Sequence, residues 1–491
     1  MKPFSRTVYR AIPRAALAFA FACGSVLAAG EPDITFGSSG ARLVDFAQAN
    51  PTDVLFATAT MADGRIVGAG IAGVTLSVVA PRNQIAVVRL LPDGAPDPAF
   101  GDGLGRLVVP GSVQHPDGAF SVYAMALQTD GRIVVAGTYT GPDAQSNDFL
   151  VARVRADGTG LDPTFGTNGV RVIGFDLGGE KIDVANAVAV QPDGRIVVLG
   201  GVRTGAMTSD FAVVRLMPDG AFDTSFDGDG RRLVTFGLSD PGGESYDIAQ
   251  SLMLQPDGKI VVAGAASSAN GTDTVVARLL SNGALDSAFG NYLTGRSRYA
   301  FVAGKPSMAT GVAWSELALD PNHTSRRIVV ASETATAGTE AFGVAVLKED
   351  GTLDPGFSGD GRQIVAFNGV GEAGGRPQAV TIDTGWRRVG ALMVQYRRIV
   401  AGGYVSVAGG ARLAIALARL NFDGSLDANF GNGGKSSFTS SHYLLGPPTS
   451  CYGMDLAKQG TKLVIGASCR LQSGGNWSPD LFAFMRVPLD D

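Results

Sequence analysis

Apolar residues along this chain fall in short β-branched or Ala-rich runs, cut by Asp-Gly, Pro-Asp and Asn-Gly dipeptides. Runs of that length, closed by turn residues, predict strands rather than helices. The stretch 123–175 shows the pattern. Tyr123–Gln128 predicts a strand, Thr129-Asp130-Gly131 a turn, and Arg132–Gly137 the returning strand. Asp-Gly suits a tight hairpin because both turn residues tolerate positive φ. Phe149–Arg155 predicts a third strand, and Val170–Phe175 a fourth. Between them, Asp157-Gly158 and the Asp162/Phe165 motif form an ordered connection. No segment of the mature chain reads as a substantial helix.

The pattern repeats, and self-similarity of this kind decides architecture before local detail does. An Asp-x-x-Phe motif stands at Asp33/Phe36, Asp97/Phe100, Asp162/Phe165, Asp223/Phe226, Asp286/Phe289, Asp354/Phe357 and Asp427/Phe430. The Phe-to-Phe spacings are 64, 65, 61, 63, 68 and 73 residues. A polar turn opening a β-branched run recurs at Asp63-Gly64-Arg65-Ile66-Val67, Asp130-Gly131-Arg132-Ile133-Val134, Asp193-Gly194-Arg195-Ile196-Val197 and Asp257-Gly258-Lys259-Ile260-Val261. An apolar strand ending in Arg recurs at Arg89, Arg153, Arg215, Arg278, Arg419 and Arg486, with Val346 in that place in the fifth repeat. Acid and base needed once per repeat are expected to brace a connection, through turn hydrogen bonds or ion pairs.

Four strands per repeat of about 65 residues predict an all-β, seven-bladed β-propeller of four-stranded antiparallel blades. Radial closure hides sheet edges that an open array would expose. The chain starts mid-repeat, with Asp33/Phe36 and then a strand at Arg42–Phe46. Its last repeat stops after Leu481–Val487 and lacks that strand. The N-terminal strand is therefore expected to complete the last blade. The Ala-rich strands, such as Phe56–Met61 and Ala185–Val190, are expected innermost. A β-solenoid fits less well, since its rungs are shorter and its ends need caps.

Gln191-Pro192-Asp193-Gly194-Arg195-Ile196-Val197-Val198, Gln255-Pro256-Asp257-Gly258-Lys259-Ile260-Val261-Val262-Ala263-Gly264 and Leu161-Asp162-Pro163-Thr164-Phe165-Gly166 resemble the delta-60 repeat family of bacterial exported proteins. The resemblance covers nearly all of the mature chain. It implies an extracytoplasmic repeat protein with a propeller fold and carries no catalytic residues with it. The fifth and sixth repeats depart from the pattern at the Asp-Gly turn.

Charge and composition narrow the picture. Net charge is -5, and charged residues make up 17% against 45% hydrophobic. No basic excess draws the chain to nucleic acid or to anionic membrane. Lys2, Arg6, Arg10 and Arg14 precede a short apolar run, Ala15–Val26, and the small residues Ala28 and Ala29. This reads as a signal peptide over residues 1–29, followed by a repeat domain over 30–491. Lipidation at Cys23 is the rival reading, weakened by Phe21 where a small residue is needed. No later run is long enough to span a bilayer. The periplasm, the cell surface or the medium is expected. There, Cys451 and Cys469, equidistant from a hairpin tip near Gly460, are expected to pair.

Candidate chemistry is sparse. The connections around Gly111–Ser121, Tyr139–Asp148, Ser267–Asp273 and Ser441–Ser450 vary, and variable loops on a rigid scaffold are the usual place for binding. On the opposite, regular face the fifth repeat replaces its tight turn with Pro321–Arg327. The sixth replaces it with a longer stretch, about Thr384–Arg398, and pairing of Leu392–Gln395 as a strand is the alternative there. His323, Arg326, Trp386, Arg387, Arg388 and Tyr396 form the candidate ligand site if the two expansions meet. Trp and Tyr offer flat faces to sugars or peptides, and Arg forks match carboxylates. Plain solvated Arg and a packed Trp in a decayed repeat are the alternative. Asp227-Gly228-Asp229-Gly230 and Ser358-Gly359-Asp360-Gly361 lack EF-hand spacing, and calcium there is the alternative to a plain turn. His115, His323 and His442 have no ligand spacing. No G-x-S-x-G elbow is present.

A monomeric extracytoplasmic binding scaffold without cofactor is the expected function, its ligand a glycan, a peptide or an envelope protein. A propeller-fold hydrolase or lyase of polysaccharide, needing converging channel carboxylates, and a purely structural surface protein are the alternatives.

Overall fold

The computed structural model describes residues 29–490 apart from 39, 47–51, 74–82, 112–117, 142–145, 178–180, 206–207, 239–244, 269–270, 292–293, 321–322, 337–338, 368–371, 391, 408–411, 439–448, 474–475 and 479. Residues 1–28, which hold Cys23 and most of the expected signal peptide, lie outside the described residues, as do large parts of the variable connections. Every regular element among the described residues is a strand.

The strands form four-stranded antiparallel sheets in chain order. The first is β2 (Val54–Thr60), β3 (Ile66–Ala72), β4 (Gln84–Leu90) and β5 (Arg106–Pro110), after an initial β1 (Ala41–Val44). Next come β6 (Ala119–Leu127), β7 (Ile133–Thr140), β8 (Asn147–Val154) and β9 (Val170–Ile173). Then follow β10 (Asp183–Val190), β11 (Ile196–Gly205), β12 (Thr208–Leu216) and β13 (Arg231–Val234), and β14 (Ser245–Leu254), β15 (Ile260–Ser268), β16 (Gly271–Leu279) and β17 (Arg296–Tyr299). A short parallel bridge, Thr208 to Ser245 and Ser209 to Tyr246, links these two sets. Further on stand β18 (Ser307–Asp320), β19 (His323–Thr336), β20 (Thr339–Lys348) and β21 (Arg362–Val365), and β22 (Glu372–Val389), β23 (Leu392–Val407), β24 (Arg412–Asn421) and β25 (Lys435–Phe438). The final sheet holds β26 (Thr449–Gln459), β27 (Lys462–Ser473), the short β28 (Asn476–Trp477) and β29 (Leu481–Pro488). Its fourth main strand is β1, which pairs antiparallel with β29, Arg42 opposite Phe484.

The tight turns have a definite local cause. In the β6–β7 hairpin, Gln128 N–H donates to the Arg132 carbonyl at 2.9 Å and Gly131 N–H to the Gln128 carbonyl at 3.0 Å. Only Gly131 takes positive φ, at 85°. Asp130 instead uses its carboxylate, which accepts the Arg132 N–H at 3.0 Å. The expectation of positive φ at both turn residues is thus corrected. The loop is one residue longer than a two-residue turn, and the carboxylate closes it as an Asx turn.

The central parts of the second and third strands are buried on both faces, as in β7 and β8. Their β-branched runs pack between neighbouring sheets. Val134, Phe149, Val151 and Phe165 meet Val198, Val202 and Val214 of the next sheet in one cluster. Each such side chain contributes roughly 1.5–3 kcal/mol on burial. Cys451 and Cys469 stand opposite each other on β26 and β27 and form a disulfide.

Carboxylates at the start of some first strands clamp the preceding sheet. Asp53 accepts the Phe46 N–H at 3.1 Å, Asp183 the Phe175 N–H at 2.8 Å and Asp247 the Phe236 N–H at 2.8 Å. Burial pushes them up to about 6, about 6 and about 7 respectively. Asp247 Oδ1 is buried without a hydrogen-bond partner. A carboxyl raised in the folded state stabilises the fold on protonation, so this contribution grows as pH falls through 7 to 6 and is complete below the unfolded value near 3.8. The melting temperature is therefore expected to rise between pH 8 and pH 5. In Asp247→Asn, part of that rise should already be present at pH 8. An unchanged slope in Asp247→Asn by scanning calorimetry contradicts the assignment.

Candidate functional site

The recurring Asp, Arg and Phe converge on one arrangement. Arg153, at the end of β8, is buried and its Nε lies 2.9 Å from Asp162 Oδ2. Its guanidinium sits 5.0 Å over the Phe165 ring. Asp162 Oδ1 accepts the Thr164 N–H at 3.1 Å, which shapes the connection. The same set is built by Arg89, Asp97 and Phe100, by Arg215, Asp223 and Phe226, by Arg278, Asp286 and Phe289, and by Arg419, Asp427 and Phe430. Arg486 builds it with Asp33 and Phe36 across the two ends of the chain, at 2.8 Å and 4.9 Å.

Each guanidinium also crosses to the next sheet. Arg153 Nη1 donates to the Pro218 carbonyl, Arg215 to Ser281, Arg278 to Glu349 and Arg419 to Leu489. Arg89 reaches Ala156, and Arg486 reaches Pro92 at 2.6 Å. Burial alone would raise the Asp162 carboxyl. Hydrogen bonds from Thr164 and the guanidinia of Arg132 and Arg153 outweigh it and hold the group at about 2.

The fifth repeat lacks this brace because Val346 replaces the Arg. Asp354 there is paired by Arg327 from β19 instead. Phe357 keeps the turn of its motif, its N–H donating to the Asp354 carbonyl at 2.9 Å. Its ring is fully buried in one cluster with Phe342, Val344 and Ala416. Among the described residues no guanidinium covers that ring. With no Arg at position 346 to stack on it, Phe357 acts through apolar packing alone.

The corresponding acceptor residue in the next sheet is Phe422, three residues past Arg419, and Arg397 of β23 lies 4.0 Å over its ring. Arg397 also donates to the Ser325 hydroxyl at 3.0 Å and the Ser325 carbonyl at 3.3 Å. Burial, reinforced by Arg327, pushes Arg397 down to about 10. This contact joins the two expanded hairpins, β18–β19 and β22–β23.

The sixth-repeat expansion is itself a ladder. Thr384 pairs with Arg397, Trp386 with Gln395 and Arg388 with Met393, so β22 and β23 run on to a turn at Gly390. The expanded stretch is thus a strand pair rather than an open turn, with Leu392–Gln395 paired to Trp386–Val389. Its Thr, Trp, Val and Tyr content favours paired strands. Alternation along that ladder separates the candidate residues. Trp386 and Arg388 share a face with Met393 and Arg397, whereas Arg387 and Tyr396 lie on the other. Tyr396 stands over Gly385, where an added Cβ would meet its hydroxyl at 2.6 Å. Arg326 pairs with Glu316 at 3.2 Å, on the face of β18–β19 opposite Ser315 and Ser325, and so points away from Arg397. His323 opens β19, but its side chain lies outside the described residues. The structure thus brings the hairpins together and divides the predicted cluster. Trp386 and Met393 are 64% and 59% exposed and stand at the tip as an apolar pair beside Arg388. Met393 had no motif to reveal it and depends on the ladder register.

Of the two acidic loops, Asp227 pairs with Arg232 at 3.0 Å, and Asp229 and Asp360 accept the N–H groups of Arg231 and Arg362. Their carboxylates are engaged within the turns.

Six segments, 62–100, 128–165, 191–226, 255–289, 325–357 and 397–430, match the sequence model of a family described as "Domain of unknown function (DUF5122) beta-propeller". Each begins near a tight turn or its replacement and ends on the Phe of an Asp-x-x-Phe motif. The matched segments are similar to the repeats of that β-propeller family. No curated protein matches it. Among solved structures, a polysaccharide lyase, Uly1, is similar at 10% identity and TM-score 0.44, over 92% of this chain and 93% of that one. The β-propeller domain of the Trilobed protease from Pyrococcus furiosus, with an open velcro topology, is similar at 8% identity and TM-score 0.40, over 90% and 96%. A subtype N11 neuraminidase-like protein of a flat-faced bat virus is similar at 11% and 0.35, over 94% and 97%.

Replacing Arg153 by Met leaves Asp162 buried with Arg132 alone and is expected to cost about 3–5 kcal/mol. Replacing the half-exposed Arg132 should cost less than about 1 kcal/mol. Urea unfolding of the two variants measures the difference, and equal losses contradict the brace.

Proposed function

We propose that the protein is an exported, seven-bladed β-propeller of the delta-60 type that serves as a binding scaffold. Its contact surface is the tip of the β22–β23 hairpin. The observation that carries this reading is Trp386, which stands exposed beside Met393 and Arg388 on a hairpin projecting past the tight turns of the other repeats. Trp, Met and Arg are the residue types enriched in the cores of protein interfaces. A protein or peptide of the envelope is thus the favoured partner. The disulfide of Cys451 and Cys469 accords with an oxidising compartment.

Closure of the ring is supported by β1 completing the sheet of β29 and by the Arg486 brace to Asp33 and Pro92. Deletion of residues 29–46 removes Asp33, Phe36 and β1 together. It is expected to leave an aggregating or non-cooperatively melting protein. A soluble monomer with an unchanged melting temperature would argue for an open array.

A polysaccharide hydrolase or lyase needs acid and base groups that converge. The described residues lining the cavity between the first strands include Asp455 and Tyr123 as their only ionisable groups, which favours binding over catalysis there.

The binding test uses residues 30–491 immobilised and exposed to envelope extract. The dissociation constant of any retained partner is then measured for Trp386→Ala and Met393→Ala. Each is expected to weaken binding at least about tenfold, or 1.4 kcal/mol. Equal affinity in both variants ends the hairpin reading. Cleavage of an incubated polysaccharide, seen by mass spectrometry, would place the enzyme reading first.

A further inference from the structure

The first strand of each sheet slips register by one residue against the second. The slips that recur from sheet to sheet fall at Phe56, Tyr123, Asn186, Gln250, Thr310 and Gln378, and β18 and β22 each slip once more, between Ala318 and Asp320 and between Ala373 and Arg376. In β26 the slip falls at Gly453. A bulge leaves one residue unpaired and re-aims its side chain. In β3, β7, β11, β15 and β23 the second strand answers with glycine, and in β19 and β27 with Ser332 and Ser468. A Cβ on Gly200 or Gly264 would stand 2.1 Å or 1.9 Å from the carbonyl of Val184 or Ile248 on the bulged strand.

All six of the bulge side chains named line one cavity of about 490 Å³, bounded by residues of the first strands. That is a volume typical of small-ligand sites. Its two sides differ. On one, Phe56 and Tyr123 stand edge to face with ring centroids 5.2 Å apart. On the other are the amides of Asn186, Gln250 and Gln378. Asn186 donates to the Ala249 carbonyl at 2.8 Å and Gln378 to the Pro377 carbonyl at 3.1 Å, which orients their amides while leaving the side-chain carbonyls to accept. The Tyr123 hydroxyl has no hydrogen-bond partner among the described residues. Asp455 is the one carboxylate among the described lining residues, and it accepts the N–H groups of Thr58 and Leu456, each at 2.8 Å. Among those residues there is no Lys, Arg or His.

We propose that this ring of bulge residues is a second binding site, distinct from the hairpin tip, and that it takes an uncharged, hydroxyl-rich ligand such as the end of a neutral oligosaccharide. Amides both donate and accept, as hydroxyl groups do. The aromatic pair offers an apolar face to the C–H side of a sugar ring. An anionic ligand would lose its hydration here without a cation to replace it.

Titration calorimetry of residues 30–491 tests the site with xylohexaose, cellohexaose and maltohexaose as neutral probes and a galacturonate oligomer as the anionic probe. At least one neutral probe is expected to bind, and the galacturonate is expected not to. Gln250→Ala and Tyr123→Ala should each weaken that binding at least tenfold, while Trp386→Ala leaves it unchanged. Gln250→Glu keeps the side-chain length and should weaken it similarly, with melting temperatures confirming that the variants are folded. Failure of every neutral probe, tighter binding of the galacturonate, or equal affinity in the folded channel variants overturns the proposal. Loss of binding in Trp386→Ala alone would move the sugar site to the hairpin.

Discussion

A buried guanidinium that serves two sheets at once is the interaction on which the rest of this structure depends. Arg153 neutralises Asp162 within its own repeat, covers Phe165, and donates to the Pro218 carbonyl of the following sheet. A buried charge is costly unless paired and hydrogen-bonded, and here every partner belongs to the connection that must be held in shape. Hydrophobic burial between sheets supplies most of the attraction but little direction. The guanidinium supplies the direction, because its planar fork fits one placement of the next sheet.

The exception is instructive. With Val346 in place of the Arg, the fifth repeat keeps its Asp354 but pairs it from β19, leaves Phe357 to apolar packing, and receives Arg397 from β23 over Phe422. The same two repeats carry the long hairpins. Loss of the regular brace and growth of the projecting hairpins thus occur together, and Arg397 connects them through Ser325.

The bulges of the first strands act on the opposite scale. Each displaces a single residue, yet together they set what the cavity presents. Strand pairing there keeps its form from sheet to sheet, while the bulge residue varies from Phe to Tyr, Asn, Gln, Thr and Gly. A regular scaffold with one free position per repeat is a means of varying a surface without disturbing the core.

Much of the architecture was legible in the chain because it rests on short-range rules. Strand length, turn residues and the once-per-repeat Asp, Arg and Phe are local, and Cys451 and Cys469 flank one hairpin, where the bulge at Gly453 sets them opposite each other. The Gly of Val261-Val262-Ala263-Gly264 was also visible, and with its counterparts it was the one signal of a bulge, but its meaning depends on the carbonyl of the neighbouring strand. The candidate ligand site was legible only in part. That Trp386 and Arg388 share one face while Arg387 and Tyr396 take the other follows from the register of β22 against β23. That Arg326 turns away from Arg397 follows from which face of β18–β19 meets the next sheet. The sequence by itself determined the repeated strand-and-turn units and their braces, because those are set by neighbours within one repeat. Only the tertiary structure decided which side chains meet between repeats, because a one-residue change of register moves every side chain to the other face.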